Sequence, residues 1–444
     1  MSTSSIPIRF VRVFSLGVVA ARGSLAAAIL TAAVLLPAQE KGGEASRGWQ
    51  VRSSDQVAWI GGAFTERLQQ TGYLETALAI QSAATPPPKH RNLGWSGDTP
   101  SGISRAVFGS PEDGFRRLIH DTLIAKPTVV VLNYGHAEAF EGPEGVERFQ
   151  RQLGRLVSEL KKRMKEAGGS SPRFIYLFPP PRLAVGPGAV GAEAYNKNLA
   201  LYRDAAKAFC EKEGAAFFDL GAPLVENPAW QKAVEKYGDQ VSLDGLQLES
   251  LGQWLLAQHA AKLFGPPAAG WSLTVDAAAK KVAHSAGEAE ITSAGAEMVQ
   301  LEIRDAALPA PPPPRGVPDE LRLREDMLQV KGLAPGEYTI QIGDSAAPLT
   351  ATAAELAAGV RFARGEHLAQ VEQLRAAINK KNELFFHRHR PQNETYLFLF
   401  RKHEQGNNAV EIPAFDPLIE QEEERIAQLA APQPYRITLR RTGG

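Results

Sequence analysis

Between residues 50 and 265 the chain alternates short apolar, β-branched runs with longer stretches whose apolar residues recur at helical spacing, and this alternation allows one broad architecture. Strand-like runs lie at 57–60, 128–132, 173–178 and 216–220, with a weaker one at 91–93. Helical patterns occupy 66–80, 112–125, 145–167 and 194–213, and 250–264 closes the series. A strand that returns to its parallel neighbour needs a crossover long enough for a helix, so the pattern predicts an α/β fold. The expected form is a three-layer α/β/α parallel sheet over 50–265. Ligand crevices in such sheets lie beyond the carboxyl ends of the strands, which directs attention to the residues just after each run.

Past Gly265-Pro266-Pro267 the periodicity changes. Short β-like runs at 271–275, 290–292, 299–303, 327–331 and 338–342 predict a small β-rich module over 266–352. Within it, residues 308–314 form a proline-rich run, expected to be a rigid surface connection, with partner recognition as the alternative. Residues 353–444 are expected to form a helical C-terminal extension, in which Leu368, Val371, Leu374, Ala377 and Ile378 share one apolar face. The stretch 380–417 is rich in aromatic, basic and amide residues and is expected to dock on the neighbouring domains. His387 and His389 would fall on one side of an extended segment there, but no third histidine or carboxylate stands at ligand spacing, so no metal is implied.

Lys plus Arg and Asp plus Glu are equal at 49 each, which leaves no net field to draw the protein to nucleic acid. Cys210 is the only cysteine, so no intramolecular disulfide can form. Its helical surroundings at 199–210 predict a buried thiol. At the N-terminus, Arg9 and Arg12 precede an apolar stretch at 24–36 and the small-residue exit Pro37-Ala38-Gln39. This is the layout of a signal peptide over 1–38 and predicts export to the periplasm or the extracellular space, with an uncleaved anchor as the alternative. No later stretch is long and apolar enough to span a bilayer, so no transmembrane span is expected in the mature chain.

Four blocks follow the strand-like runs. Gly61-Gly62-Ala63-Phe64-Thr65 comes after the first, and Asn92-Leu93-Gly94-Trp95-Ser96-Gly97-Asp98-Thr99 after the second. Leu132-Asn133-Tyr134-Gly135-His136-Ala137-Glu138 comes third, and Leu243-Asp244-Gly245-Leu246-Gln247-Leu248 precedes the closing helix. In order and spacing these blocks resemble those of SGNH/GDSL-type hydrolases, over roughly 55–264. The resemblance implies a flavodoxin-like SGNH hydrolase fold and hydrolysis of acyl or acetyl esters, including esters on glycans. It places Ala63 where that superfamily carries its serine, Ala137 at the asparagine of Gly-x-Asn-Asp and Gln247 at the histidine of Asp-x-x-His. Gly97, as oxyanion donor, and Asp244, as orienting carboxylate, are what remains of the catalytic set. The segments 381–386 and 415–418 are similar to the extension of exported SGNH-type proteins from planctomycete-like bacteria.

Acyl transfer by this route needs a hydroxyl nucleophile, an imidazole to take its proton and donors for the developing oxyanion. Loss of the serine or histidine costs on the order of a million-fold in turnover. Glutamine does not titrate near neutrality and cannot act as the base. Other groups of suitable chemistry stand nearby. Ser96 lacks the final glycine of a Gly-x-Ser-x-Gly elbow, because Asp98 stands there. Thr65 suits a helix N-cap. His136 and Glu138 flank Ala137 and are expected at the cleft rim, where His136 with Glu138 or Asp244 would form a remodelled acid/base pair. Asp244 also suits a turn before Gly245, and Asp98 suits a helix-initiating loop. The expected protein is thus a hydrolase-fold protein with weak or no ester hydrolysis and no cofactor, taking a small-molecule or glycan ester in its cleft. The alternatives are a non-catalytic carbohydrate- or acyl-binding protein and an envelope scaffold.

Overall fold

The computed structural model describes residues 51–442, except 82–85, 265–269, 318–320, 322–325, 344–347, 362–364, 405 and 407. The expected signal segment at 1–38 and the boundary at Gly265 lie outside the described residues.

Five strands, β1 (Gln56–Gly61), β2 (Lys89–Asn92), β3 (Val129–Asn133), β4 (Arg173–Phe178) and β5 (Ala216–Asp219), form one sheet in the order β2-β1-β3-β4-β5. Every pairing in it is parallel. The crossovers are α1 (Ala63–Thr71), α2 (Tyr73–Gln81), α3 (Pro111–Ile124), α4 (Val146–Glu166), α5 (Ala192–Glu213), α6 (Gly221–Val225), α7 (Pro228–Val241) and α8 (Ser250–Phe264). Successive strand residues point to opposite faces, and both faces are covered. Val57, Trp59, Val131 and Leu177 pack with Leu74 of α2, Trp230 of α7 and Trp254 of α8. Ala58, Ile60, Leu132 and Tyr176 pack with Phe115 of α3, Leu153 of α4 and Tyr202 of α5. Cys210 lies in this second layer, where burial pushes its thiol up to about 12. The chain runs from β1 outward to β2 and then crosses to β3, so the strand order reverses between β1 and β3. That reversal opens a crevice at their carboxyl ends.

Several helices differ from expectation. The helix anticipated over 66–80 is broken at Gly72, whose φ of 67° terminates α1 in a left-handed cap. Helix α7 has no counterpart in the sequence reading; it is started by Asn227, whose side chain accepts from Ala229 and Trp230 N–H, with Pro228 in its first turn.

The β-rich module is a two-sheet sandwich. Its strands are β6 (Ser272–Asp276), β7 (Lys281–His284), β8 (Gly287–Ala294), β9 (Met298–Asp305), β10 (Met327–Lys331), β11 (Glu337–Ile342), β12 (Leu349–Thr352), β13 (Val360–Arg361) and β14 (Tyr435–Arg441), with α9 (Ala353–Ala358) between β12 and β13. The sheets run β13-β10-β6-β7 and β12-β11-β14-β9-β8. Alternate residues such as Leu273, Val275, Leu328, Leu301, Ile340 and Leu439 meet between them. Residues 353–444 are therefore not a purely helical extension. After α10 (Gly365–His389), α11 (Glu394–Leu397) and α12 (Phe415–Ala430), the chain returns to the sandwich and places β14 between β11 and β9.

The expected apolar face of α10 is present: Val371, Leu374, Ala377 and Ile378 pack with Ile80 of α2, Ile426 of α12 and Leu308. The proline-rich run lies against the α/β domain, where Trp254 Nε1–H donates to Pro311 O at 2.9 Å. His387 and His389 belong to the last turn of α10 rather than to an extended segment. Two residues on a helix diverge by about 200°, and His389 is buried with Nδ1 2.9 Å from Phe385 O. No helix among the described residues is long and apolar enough to cross a membrane.

Candidate functional site

The site is assembled where β1, β2 and β3 end. Gly61 closes β1, and no other residue fits there: a Cβ would stand 2.3 Å from Asn133 O and 2.3 Å from Thr65 Oγ1. Helix α1 begins immediately, with Gly62 at its N-cap and no side chain capping it. Ala63 is thus the first helical residue, among the backbone donors that a helix N-terminus leaves without intrahelical partners. Thr65 does not cap the helix as expected; it is buried in its first turn and donates to Asn133 Oδ1 at 3.0 Å. Asn92 Nδ2 donates to Thr65 O at 2.7 Å, and Trp95 N–H to Gly61 O at 2.9 Å. These bonds hold the three strand-end loops in one unit.

In the second loop Gly97 has φ +77°, a left-handed conformation that costs a side-chain-bearing residue about 1–2 kcal/mol. Ser96 is exposed, and its N–H and Oγ both donate to Glu66 Oε2. Asp98 is no loose loop residue. Fully buried, it pairs with Arg105 Nε at 2.7 Å, and Arg105 in turn reaches Leu93 O at 2.7 Å and Asp121 at 3.3 Å.

The third loop carries the titratable groups. His136 Nε2 lies 2.7 Å from Pro180 O. A carbonyl only accepts, so Nε2 bears the proton and Nδ1 keeps its lone pair. Burial holds this imidazole down at about 4, against the field of Asp244, so it is neutral near pH 7. Glu138 Oε2 accepts from Gly135 N–H at 2.7 Å, while its buried Oε1 has no hydrogen-bond partner. Burial, aided by Glu141 and Asp98, pushes the Glu138 carboxyl up to about 7. Tyr134 Oη is likewise buried without a partner. In the fourth block Asp244 Oδ1 accepts from Leu246 N–H at 2.9 Å and from Gln247 N–H at 2.7 Å.

The loops enclose a cavity of about 140 Å³ bordered by Ala63, Gly97, His136, Ala137, Glu138 and Gln247, with Phe64, Tyr134, Phe140 and Leu246 among its other walls. A larger hollow, of about 510 Å³, lies between α10 and α12 and is lined mainly by glutamine side chains, away from these groups. Residues 58–253, which span all four loops, match the family model of the GDSL-like lipase/acylhydrolase family. The α/β domain belongs to the SGNH/GDSL hydrolase superfamily.

Among solved structures, a gut microbial diltiazem-metabolizing enzyme, BT4096, superposes with a TM-score of 0.67 at 17% identity, covering 90% of this chain and 100% of its own. The sandwich and the helical layer therefore recur together with the SGNH domain as one architecture. A catalytic mutant of Axe2, an acetylxylan esterase from Geobacillus stearothermophilus, matches at 18% identity and a TM-score of 0.36, over 49% of this chain and 96% of that one. LAE5, an alpha/beta hydrolase enzyme from the metagenome of Lake Arreo, Spain, matches at 17% identity and a TM-score of 0.34, over 49% of this chain and 100% of its own. No curated protein matches the chain.

Within this SGNH domain Ala63, Gly97, His136, Ala137, Glu138 and Gln247 meet at the cavity, whereas Ser96 and Asp244 are not among its lining residues. Asp244 builds the turn that presents Leu246 and Gln247. His136 and Glu138 do not pair with each other: one is spent on Pro180 O and the other on Gly135 N–H. Tyr134, Phe64 and Phe140 went unnoticed in the sequence. For Tyr134 and Phe64 the signal was there, since each stands beside a block residue already singled out.

Proposed function

We propose that this SGNH domain binds an acyl or acetyl ester, free or carried on a glycan, in a cleft that lacks the serine-triad chemistry of its superfamily. One observation carries the reading: Ala63, Ala137 and Gln247 converge on one cavity and offer it two methyl groups and an amide. None of these removes a proton or attacks a carbonyl. The donors of an oxyanion site are backbone groups at Ala63 and Gly97, and side-chain replacement leaves them in place. Retained carbonyl recognition without a nucleophile is a binding function. The basic and apolar N-terminal segment supports export, and acyl-decorated polymers outside the cytoplasm are ligands of this class.

The test is hydrolysis of short aryl esters and acetylated sugars by the purified full chain. Wild-type rates at the level of buffer are expected. The combined variant Ala63→Ser, Ala137→Asn, Gln247→His should gain about a hundredfold or more if the scaffold still aligns the three positions, as recovery of part of a triad's roughly million-fold contribution. Wild-type turnover that Ala137→Asn leaves intact and His136→Ala abolishes would overturn the reading in favour of His136 as base.

A further inference from the structure

We propose that the cleft is a proton-linked receptor for small carboxylates, holding a short-chain carboxylic acid as its anion while Glu138 carries the proton. The proposal rests on the acyl-binding reading above and names a ligand for the same cavity. Three features point to it. The N-terminus of α1, nine residues long and without a side-chain cap, opens at Ala63 on the cavity wall. Its unpaired N–H groups and dipole favour negative charge, and the methyl group at Ala63 leaves the approach clear where a hydroxyl would stand. Glu138 and Tyr134 line the cavity and are at least nine-tenths buried, and Glu138 Oε1 and Tyr134 Oη lack a partner. A protonated carboxyl and a phenol both donate, and a carboxylate accepts from each. Finally, a volume of about 140 Å³ suits an acid of a few carbons and excludes a long acyl chain.

The surroundings of Glu138 decide the pH dependence. Glu141 on its own turn and Asp98 from the second loop disfavour its anion. Asp98 is compensated by Arg105, and Glu141 pairs with Arg148 of α4. Tyr134 from its own loop, Tyr176 of β4 and Tyr195 and Tyr202 of α5 feel its charge, and all four are held above the ordinary phenol value, largely by burial. They remain neutral donors throughout. His136, held at about 4, is uncharged and supplies no cation. An anion entering beside Glu138 therefore meets a neutral carboxyl below pH about 7 and a second anion above it.

Titration of carbon-13-labelled acetate and propionate into the full chain, followed by NMR, tests this. Affinity should be nearly constant between pH about 5.5 and about 6.5 and fall about tenfold per pH unit beyond about 7.5. Calorimetry in two buffers of different ionisation enthalpy should report uptake of close to one proton at the alkaline end. Glu138→Gln, whose amide donates at every pH, should bind with no pH slope. Tyr134→Phe should lose several-fold in affinity while keeping the wild-type slope, and it guards against a misfolded Glu138 variant. Absence of acetate binding at every pH, a flat wild-type profile, or a Glu138→Gln profile that keeps the slope each overturns the proposal. Methyl acetate separates the two readings. If the neutral ester binds and acetate does not, the proton-linked site fails and the acyl cleft stands; if neither binds, both fail.

Discussion

At Ala63, Ala137 and Gln247 single side chains set what the cleft can do, and at Gly97 and Asp98 single residues hold its shape. Gly97→Ala places a Cβ 3.0 Å from Ser104 Oγ at φ +77°. It should cost about 1–2 kcal/mol in urea unfolding, and the displaced loop should weaken ligand binding in the cleft. Asp98→Ala removes the nearest charged partner of a guanidinium with no exposed side-chain surface, leaving it the Leu93 carbonyl at 2.7 Å and Asp121 at 3.3 Å. A loss of about 3 kcal/mol is expected by the same measurement, mostly from the charge left behind. The positions at the cavity were legible in the sequence because the first three blocks keep their glycines and their places after strands, and the fourth its glycine and its place before the closing helix. The turn built by Asp244 was legible too, but the partners of Ser96 and Asp98 were not, because Glu66 and Arg105 are matched to them by folding rather than by any periodic pattern.

Among the elements, α10 does work that its apolar stripe does not announce. It covers β2, an edge strand whose free backbone groups would otherwise invite pairing with another chain. Lys381 Nζ donates to Glu75 Oε1 at 2.6 Å and to His90 O of β2 at 2.8 Å. From α12, Glu423 pairs with Arg91 and, at 2.9 Å, with Lys89. Lys381→Met keeps the volume but leaves Glu75 with only Asn382 Nδ2 at 3.1 Å, and should destabilise the chain by about 3 kcal/mol in denaturant unfolding. Just past the helix, Arg390 stacks 3.8 Å from the centre of the Trp95 ring and pairs with Glu66 at 3.0 Å. Because Glu66 also holds Ser96, Arg390→Ala should speed hydrogen exchange at Ser96 and Gly97 while costing only about 1 kcal/mol overall. The amphipathic face of α10 could be read from spacing; its polar contacts lie some 300 residues away in sequence and could not.

For the whole molecule, stability should fall on acidification. His90, His136 and His389 are each held at about 4, chiefly by burial, against an ordinary 6.5. Groups with depressed values favour folding above pH 6.5, and that contribution, up to about 3 kcal/mol each, is lost as the pH falls toward 4. Glu138 acts in the opposite sense: raised from 4.5 to about 7, it favours folding most below 4.5 and loses that contribution as the pH rises to 7. Three groups outweigh one, so circular dichroism should show acid unfolding between pH 6.5 and 4. Removing residues 433–444 would take away β14, an inner strand of the sandwich, and expose β9 and β11. Limited proteolysis should then cleave within 271–361 while the SGNH domain persists.

Periodicity and turn residues act over a few positions, so the sequence alone determined the α/β alternation, the four strand-end blocks and the replacement of the serine, asparagine and histidine. Contacts between distant segments depend on the whole chain closing on itself. Only the tertiary structure decided that residues 63, 97, 137 and 247 share one cavity, that Glu138 Oε1 and Tyr134 Oη are buried without partners, and that β14 returns to the sandwich. Burial and pairing belong to a residue's neighbours in space, and local pattern carries no record of them.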